Sequence, residues 1–275
     1  MRNSGWIGFV TGHHWGPEFS ERESDKLRQN KINENCTIFV DRAIPMAPNY
    51  NIKNRVALLC EPDFVCPEIR QWLLKNKHWF SEIIELSTGF DFTGEVWVEN
   101  KQIYSKTKNV SAIFSNKLIK NIEGYELRRE IASKMKNQID LYGTIPGGKN
   151  LPQPYRATKI LGLKDYRYNI VVDNIFDYVG TEKLHDSIAC GTIPIYWASK
   201  ENPALKYYNA DGMFLFKTLE ELREIINNQA TEENYFKMLP YAQQNFKNLL
   251  KVNWNFVVLE YCGFKRFLKT GDNNE

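Results

Sequence analysis

The stretch from Tyr168 to Trp197 constrains the fold of this chain more than any other part of it. Tyr168-Asn169-Ile170-Val171-Val172 reads as a buried strand that runs out into Asp173-Asn174. Tyr178-Val179-Gly180 then leads into the helix start Thr181-Glu182-Lys183, and Gly191-Thr192-Ile193-Pro194-Ile195-Tyr196-Trp197 reads as the next strand. Strand, polar loop, short helix, strand is the repeating unit of a parallel α/β sheet. Its charged and amide side chains gather at one end. Open α/β sheets bind ligands at the carboxyl ends of their strands, so a nucleotide-type site is expected there.

The same alternation extends along the chain. Strands are predicted at 7–10, 37–40, 55–60, 83–84, 96–98, 111–114, 139–142, 168–172, 193–197 and 214–216. Helices are predicted at 21–31, from Pro67 with Ile69, Leu73 and Leu74 on one face, and at 124–137, where Leu127, Ile131 and Met135 recur every fourth residue. Further helices are expected near 156–163, from Glu182, and at 219–227 and 232–250. A polar stretch, 101–108, divides two sets of elements. The expected fold class is therefore α/β, with two Rossmann-like domains facing a cleft. Residues 1–105 are expected to form the first domain and 106–250 the second, with 251–275 a C-terminal segment that is a candidate to pack back on the first.

With 275 residues, 43% of them hydrophobic, the chain can bury one large core or two medium ones. A net charge of +3 suits an anionic ligand but lacks the clustered basic stripes of a nucleic-acid binder. No run is long and apolar enough to span a bilayer, and the first ten residues are too short and polar for a signal peptide. A cytoplasmic protein is expected. Five scattered cysteines without a Cys-x-x-Cys pair fit a reducing compartment and neither a disulfide framework nor a zinc site. With no long heptad run, a monomer or weak homodimer is expected.

Thr181 is a good N-cap, Glu182 is acidic in the first turn, and Gly191 stands where a helix C-terminal glycine belongs. The free N–H groups at that helix start can hold an anion, and Lys183 adds a full charge. Arg128, near the start of the helix that begins at Gly124, supplies a second cation from the preceding unit. An arginine fork and a lysine around a helix N-terminus make a diphosphate cradle that needs no metal; taken singly, each is also what a solvated surface charge looks like. Asp173 is either a site carboxylate or a turn cap, and Glu182 can accept hydrogen bonds from sugar hydroxyls. Glu61 follows an apolar strand, as either a catalytic carboxylate or a structural Glu-Pro would. His13, His14 and Trp15 form a loop that could touch an acceptor sugar or simply be polar, and neighbouring histidines make a poor metal pair. Tyr196-Trp197 reads as buried packing.

Over 111–245 the chain resembles the donor-binding half of the α1,3/4-fucosyltransferases (the GT10 family). Three blocks carry the resemblance: Gly124 to Arg128 with Ile139 to Gly143, Asp173-Asn174 with Tyr178 and Thr181-Glu182-Lys183, and Gly191 to Trp197. In the first half only Leu58 to Pro62 is similar. The resemblance implies a GT-B fold, GDP-fucose as donor, a glycan hydroxyl as acceptor and inversion at the sugar carbon without a metal. It implies that Arg128 and Lys183 hold the diphosphate, Glu182 the ribose, that Asn174 and Tyr178 line the donor pocket, and that Glu61 is the general base. Two departures from the family stand where nucleoside and sugar would sit: Asp173 replaces a usual glutamate, and Gly180 separates Tyr178-Val179 from Thr181. They leave room for another donor on the same fold, such as UDP-xylose or GDP-mannose, or for a silent sugar or nucleotide binder.

Overall fold

Strand pairing is parallel throughout the computed structural model, which describes residues 8–11, 36–59, 67–85, 96–117, 122–153, 155–177 and 181–251. The chain divides into two units, one of Met1–Phe92 with Asn255–Glu275, the other of Thr93–Trp254. Residues 93–105, expected in the first domain, thus belong to the second unit. No described helix is long and apolar enough to cross a membrane.

In the first unit, β1 (Gly8–Thr11), β2 (Cys36–Val40), β3 (Asn54–Leu59) and β4 (Glu82–Glu85) lie side by side in that order. Phe39, Ala57 and Leu59 pack with Ile44 of the 3-10 segment after β2 and with Ile69 and Leu73 of α1 (Pro67–Lys75). Proline opens α1 because the first turn has no use for its missing N–H. Leu74, expected on the buried face, is 61% exposed. It lies about 140° around the helix from Ile69, off the stripe that Ile69 and Leu73 share.

The second unit holds β5 (Lys108–Ile113), α2 (Glu123–Met135), β6 (Asp140–Tyr142), α3 (Tyr155–Thr158), β7 (Tyr166–Val171), α4 (Glu182–Ala189), β8 (Ile193–Trp197), β9 (Phe214–Phe216), α5 (Leu219–Glu224) and α6 (Glu232–Lys251). The sheet order is β6-β5-β7-β8-β9. From β5 the chain steps out to β6, then returns past β5 to β7. The order reverses between β5 and β7, and such a switch point leaves a crevice beyond the strand ends. The core beneath it joins Ala112, Ile131, Ile170, Ile195 and Phe216.

Residues 96–98, expected as a strand, join no sheet. Instead the Trp97 and Val98 N–H groups donate to Asp186 Oδ1 of α4, at 2.6 and 3.1 Å. A carboxylate takes the bonds that a neighbouring strand would have taken, and draws this segment onto the second unit.

Candidate functional site

The site begins where β7 ends. Val171 and Val172 are buried, so the chain leaves the core directly into the polar loop 173–177. That loop is tied on both flanks. From α2, Gly124 N–H donates to Asn174 O at 3.1 Å, and the Glu123 carboxylate accepts from Phe176 N at 3.0 Å. A Cβ on Gly124 would stand 1.9 Å from Asp173 O, so only glycine lets helix and loop approach this closely. From the β8 side, Asp177 Oδ1 accepts from Ser199 N, and the Phe176 ring meets Trp197 edge-on at 5.3 Å. Asp177 holds φ at +57°, a left-handed conformation that Asp tolerates better than most residues.

Arg128, 3% exposed, clasps the same loop. Its Nε and Nη2 donate to Val172 O at 2.9 and 2.6 Å, and Nη2 also donates to Asn174 Oδ1 at 3.0 Å. The fork expected to cradle a diphosphate is closed on the protein's own loop, because a buried guanidinium must satisfy its donors and the end of β7 offers a carbonyl there.

Asp173 is fully buried. Its Oδ1 accepts from the Thr181 hydroxyl at 2.5 Å and its Oδ2 from the Tyr196 hydroxyl at 3.0 Å, while Lys183 Nζ stands 3.7 Å from Oδ1. Asp173 thereby ties the end of β7 to the N-cap of α4. Tyr196, read as packing, is buried as expected, and it also bonds this carboxylate. Burial, with Asp173 alongside, drives its phenol well above the usual pKa and keeps it a donor.

Thr181 caps α4 as its sequence position predicts, accepting from Lys183 N at 3.2 Å. Glu182 is buried in the first turn, with Oε1 3.0 Å from Lys183 Nζ and 3.7 Å from Lys159 Nζ. Lys183 keeps 26% of its side chain exposed and lies against Glu182 and Asp173. Arg128 and Lys183 thus hold adjacent residues of one loop. Tyr178, Glu61, His13, His14 and Trp15 lie outside the described residues.

The sequence reading passed over Lys159 and Asp186. Lys159 Nζ donates to Asp186 Oδ2 at 2.7 Å, both residues buried, and lies 4.4 Å above the Trp97 ring. Burial lifts Asp186 above the ordinary carboxylate range, against the pull of Lys159. The available signal was a second acid four residues after Glu182, on the same face of a short helix; nothing local marked Lys159. A small cavity lies among Lys159, Asn169, Val172, Lys183 and Asp186; at about 10 Å³ it holds roughly one water. No group of three or more His, Cys, Asp or Glu residues among the described ones is placed to hold a metal ion.

No protein-family model matches the sequence, and no curated protein does. Solved structures do resemble it. TarM aligns with a TM-score of 0.52 and 11% identity over 90% of this chain, which spans 57% of the TarM chain. A mutant of T4 phage BGT in complex with UDP-glucose aligns with a TM-score of 0.50 and 11% identity, over 92% of this chain and 82% of that one. The fold class is the expected one: α/β, of the GT-B type, built from two Rossmann-like units. The likeness does not reach the finer fucosyltransferase assignment.

Proposed function

We propose that the chain is a glycosyltransferase whose second unit binds a nucleotide-sugar donor at the loop 172–177 and the amino end of α4. The observation that carries this is the meeting of Arg128, Asp173 and Lys183 on one loop at the switch point of a GT-B sheet. That end of the unit combines the positive end of the α4 dipole with a partly exposed ammonium, and both favour a diphosphate.

The resemblance names the donor as GDP-fucose and the acceptor as a glycan hydroxyl. In this reading the acceptor oxygen attacks the anomeric carbon as its bond to the diphosphate breaks, with inversion. The hydroxyl proton passes to Glu61 as general base. Lys183 and the α4 N–H groups take up the charge on the departing diphosphate, a preorganised electrostatic contribution that needs no metal. Arg128 adds its charge while holding the loop, and the resemblance gives Glu182 the ribose and Asn174 and Tyr178 the rest of the donor pocket. His13, His14 and Trp15 are the acceptor-side candidates.

A second reading keeps fold and site but changes the donor to a uridine nucleotide sugar. The UDP-glucose bound to the T4 phage BGT mutant favours it, as does Asp173 where the family has a glutamate. Melting curves with GDP, UDP and their sugars separate the two. Stabilisation by GDP and GDP-fucose is the expected result, stabilisation by UDP alone replaces the donor, and stabilisation by neither removes the donor site. Glu61→Gln is expected to slow transfer about 100-fold or more, the scale of a lost general base. Full activity in that variant would move the base elsewhere.

A further inference from the structure

Glu123 opens α2 beside the loop 172–177, where its negative charge is of no use to a diphosphate. Its Oε1 accepts from Phe176 N at 3.0 Å, the residue stays exposed, and among the described residues nothing else bonds that carboxylate. Asn174, half-buried in the same loop, supplies the complement. Arg128 Nη2 donates to its Oδ1 at 3.0 Å. A guanidinium only donates, so the amide oxygen is fixed toward Arg128. The Nδ2 hydrogens, which no described residue accepts, are turned away from it as donors. The protein itself holds both side chains in place. Gly124 N–H donates to Asn174 O at 3.1 Å, Asp177 Oδ1 accepts from Ser199 N, and the Phe176 ring packs against the core.

We infer that Glu123, with Asn174 beside it, determines the nucleobase of the donor, and that the base it selects is guanine. This rests on the reading of the loop 172–177 as the donor site. Guanine sets an acceptor, O6, beside two donors, N1–H and the 2-amino group, along one edge. That order matches one amide donor and one carboxylate. Uracil places a carbonyl oxygen where guanine carries its 2-amino group, and a carboxylate repels it. Hypoxanthine keeps O6 and N1–H but has no 2-amino group, so it forgoes one charge-assisted bond to Glu123 and nothing else.

Calorimetric titration with GDP, inosine diphosphate and UDP tests the inference, with inorganic pyrophosphate as the control that carries no base. The parent is expected to bind GDP about tenfold or more tighter than inosine diphosphate, the lower end of what a hydrogen bond to a charged group contributes. Glu123→Gln keeps an oxygen for Phe176 N but removes the carboxylate. It is expected to bind GDP and inosine diphosphate alike, with pyrophosphate affinity unchanged and UDP affinity unchanged or higher. A mere loosening of the loop would weaken every ligand together and leave the preference for GDP in place. Equal affinity of the parent for GDP and inosine diphosphate overturns the inference, whether or not the variant folds. So does an undiminished preference for GDP in the folded variant. A parent that binds UDP and not GDP overturns it too, while leaving the donor site standing. A parent that binds none of the three nucleotides removes the donor site itself, and the inference with it.

Discussion

The two ends of α4 solve opposite problems with the same residue type. At the carboxyl end, Gly191 takes φ +65°, and the N–H groups of Gly191 and Thr192 return to Ile188 O and Ser187 O, the Schellman closure that glycine favours. Lys106 then arrives from the connecting segment and donates to Cys190 O, Thr192 Oγ1 and Lys164 O at 2.8 to 2.9 Å. One ammonium closes several acceptors in short bonds. At the amino end, Lys183 is partly exposed and shares its carboxylates at 3.0 and 3.7 Å. One lysine is closed in by short, buried bonds; the other is left partly open to solvent.

The largest expected effect falls at the amino end. Lys183→Ala should lower transfer kcat/KM about 100-fold or more, the scale of losing one group that stabilises developing charge, with little change in melting temperature. Near-normal turnover would erase the distinction between the two ends. Gly124→Ala should cost about 2 kcal/mol or more, since its Cβ meets the Asp173 carbonyl at 1.9 Å and helix or loop must give way. Denaturant titration reads the loss, and weakened donor binding should accompany it. Lys106→Met should cost about 1 kcal/mol or more, from carbonyls left without a donor, yet leave turnover at saturating donor unchanged. A fall in turnover would give the carboxyl end a share in the site.

The smallest effect is a slope. Burial lowers the Lys106 pKa from 10.5 to about 8. Below pH 8 folded and unfolded chains both hold the proton, and the penalty for the buried charge is fully present. Between pH 8 and 10.5 the unfolded chain binds more protons, so this group makes stability rise with pH; above that window it adds nothing further. The parent should therefore gain stability relative to Lys106→Met as pH is raised from 8 to 10, as parallel urea titrations would show. A flat difference would mean that the ammonium is better solvated than its burial implies.

Much of the local plan was legible because it follows rules confined to a few residues. Phe214–Phe216 is a strand where alternation placed one, Thr181 caps α4, and Gly191 closes it. The glycine-led block at 124–128 was also legible, though its reason was not. Gly124 serves the contact with Asp173 O, in a loop more than forty residues away along the chain.

What the chain alone determined was the order and kind of its elements, hence a parallel sheet whose switch point carries polar residues, because hydrophobic period, capping and turn chemistry act between near neighbours. Only the tertiary structure decided what each charge meets. Arg128 closes on Val172, 44 positions away, Lys106 on Cys190, 84 away, and Asp186 on Trp97, 89 away. Burial obliges each of these groups to find a partner, but the crossing of strands and helices selects which one, and that selection separates a lysine closed into the scaffold from one left partly exposed at a helix start.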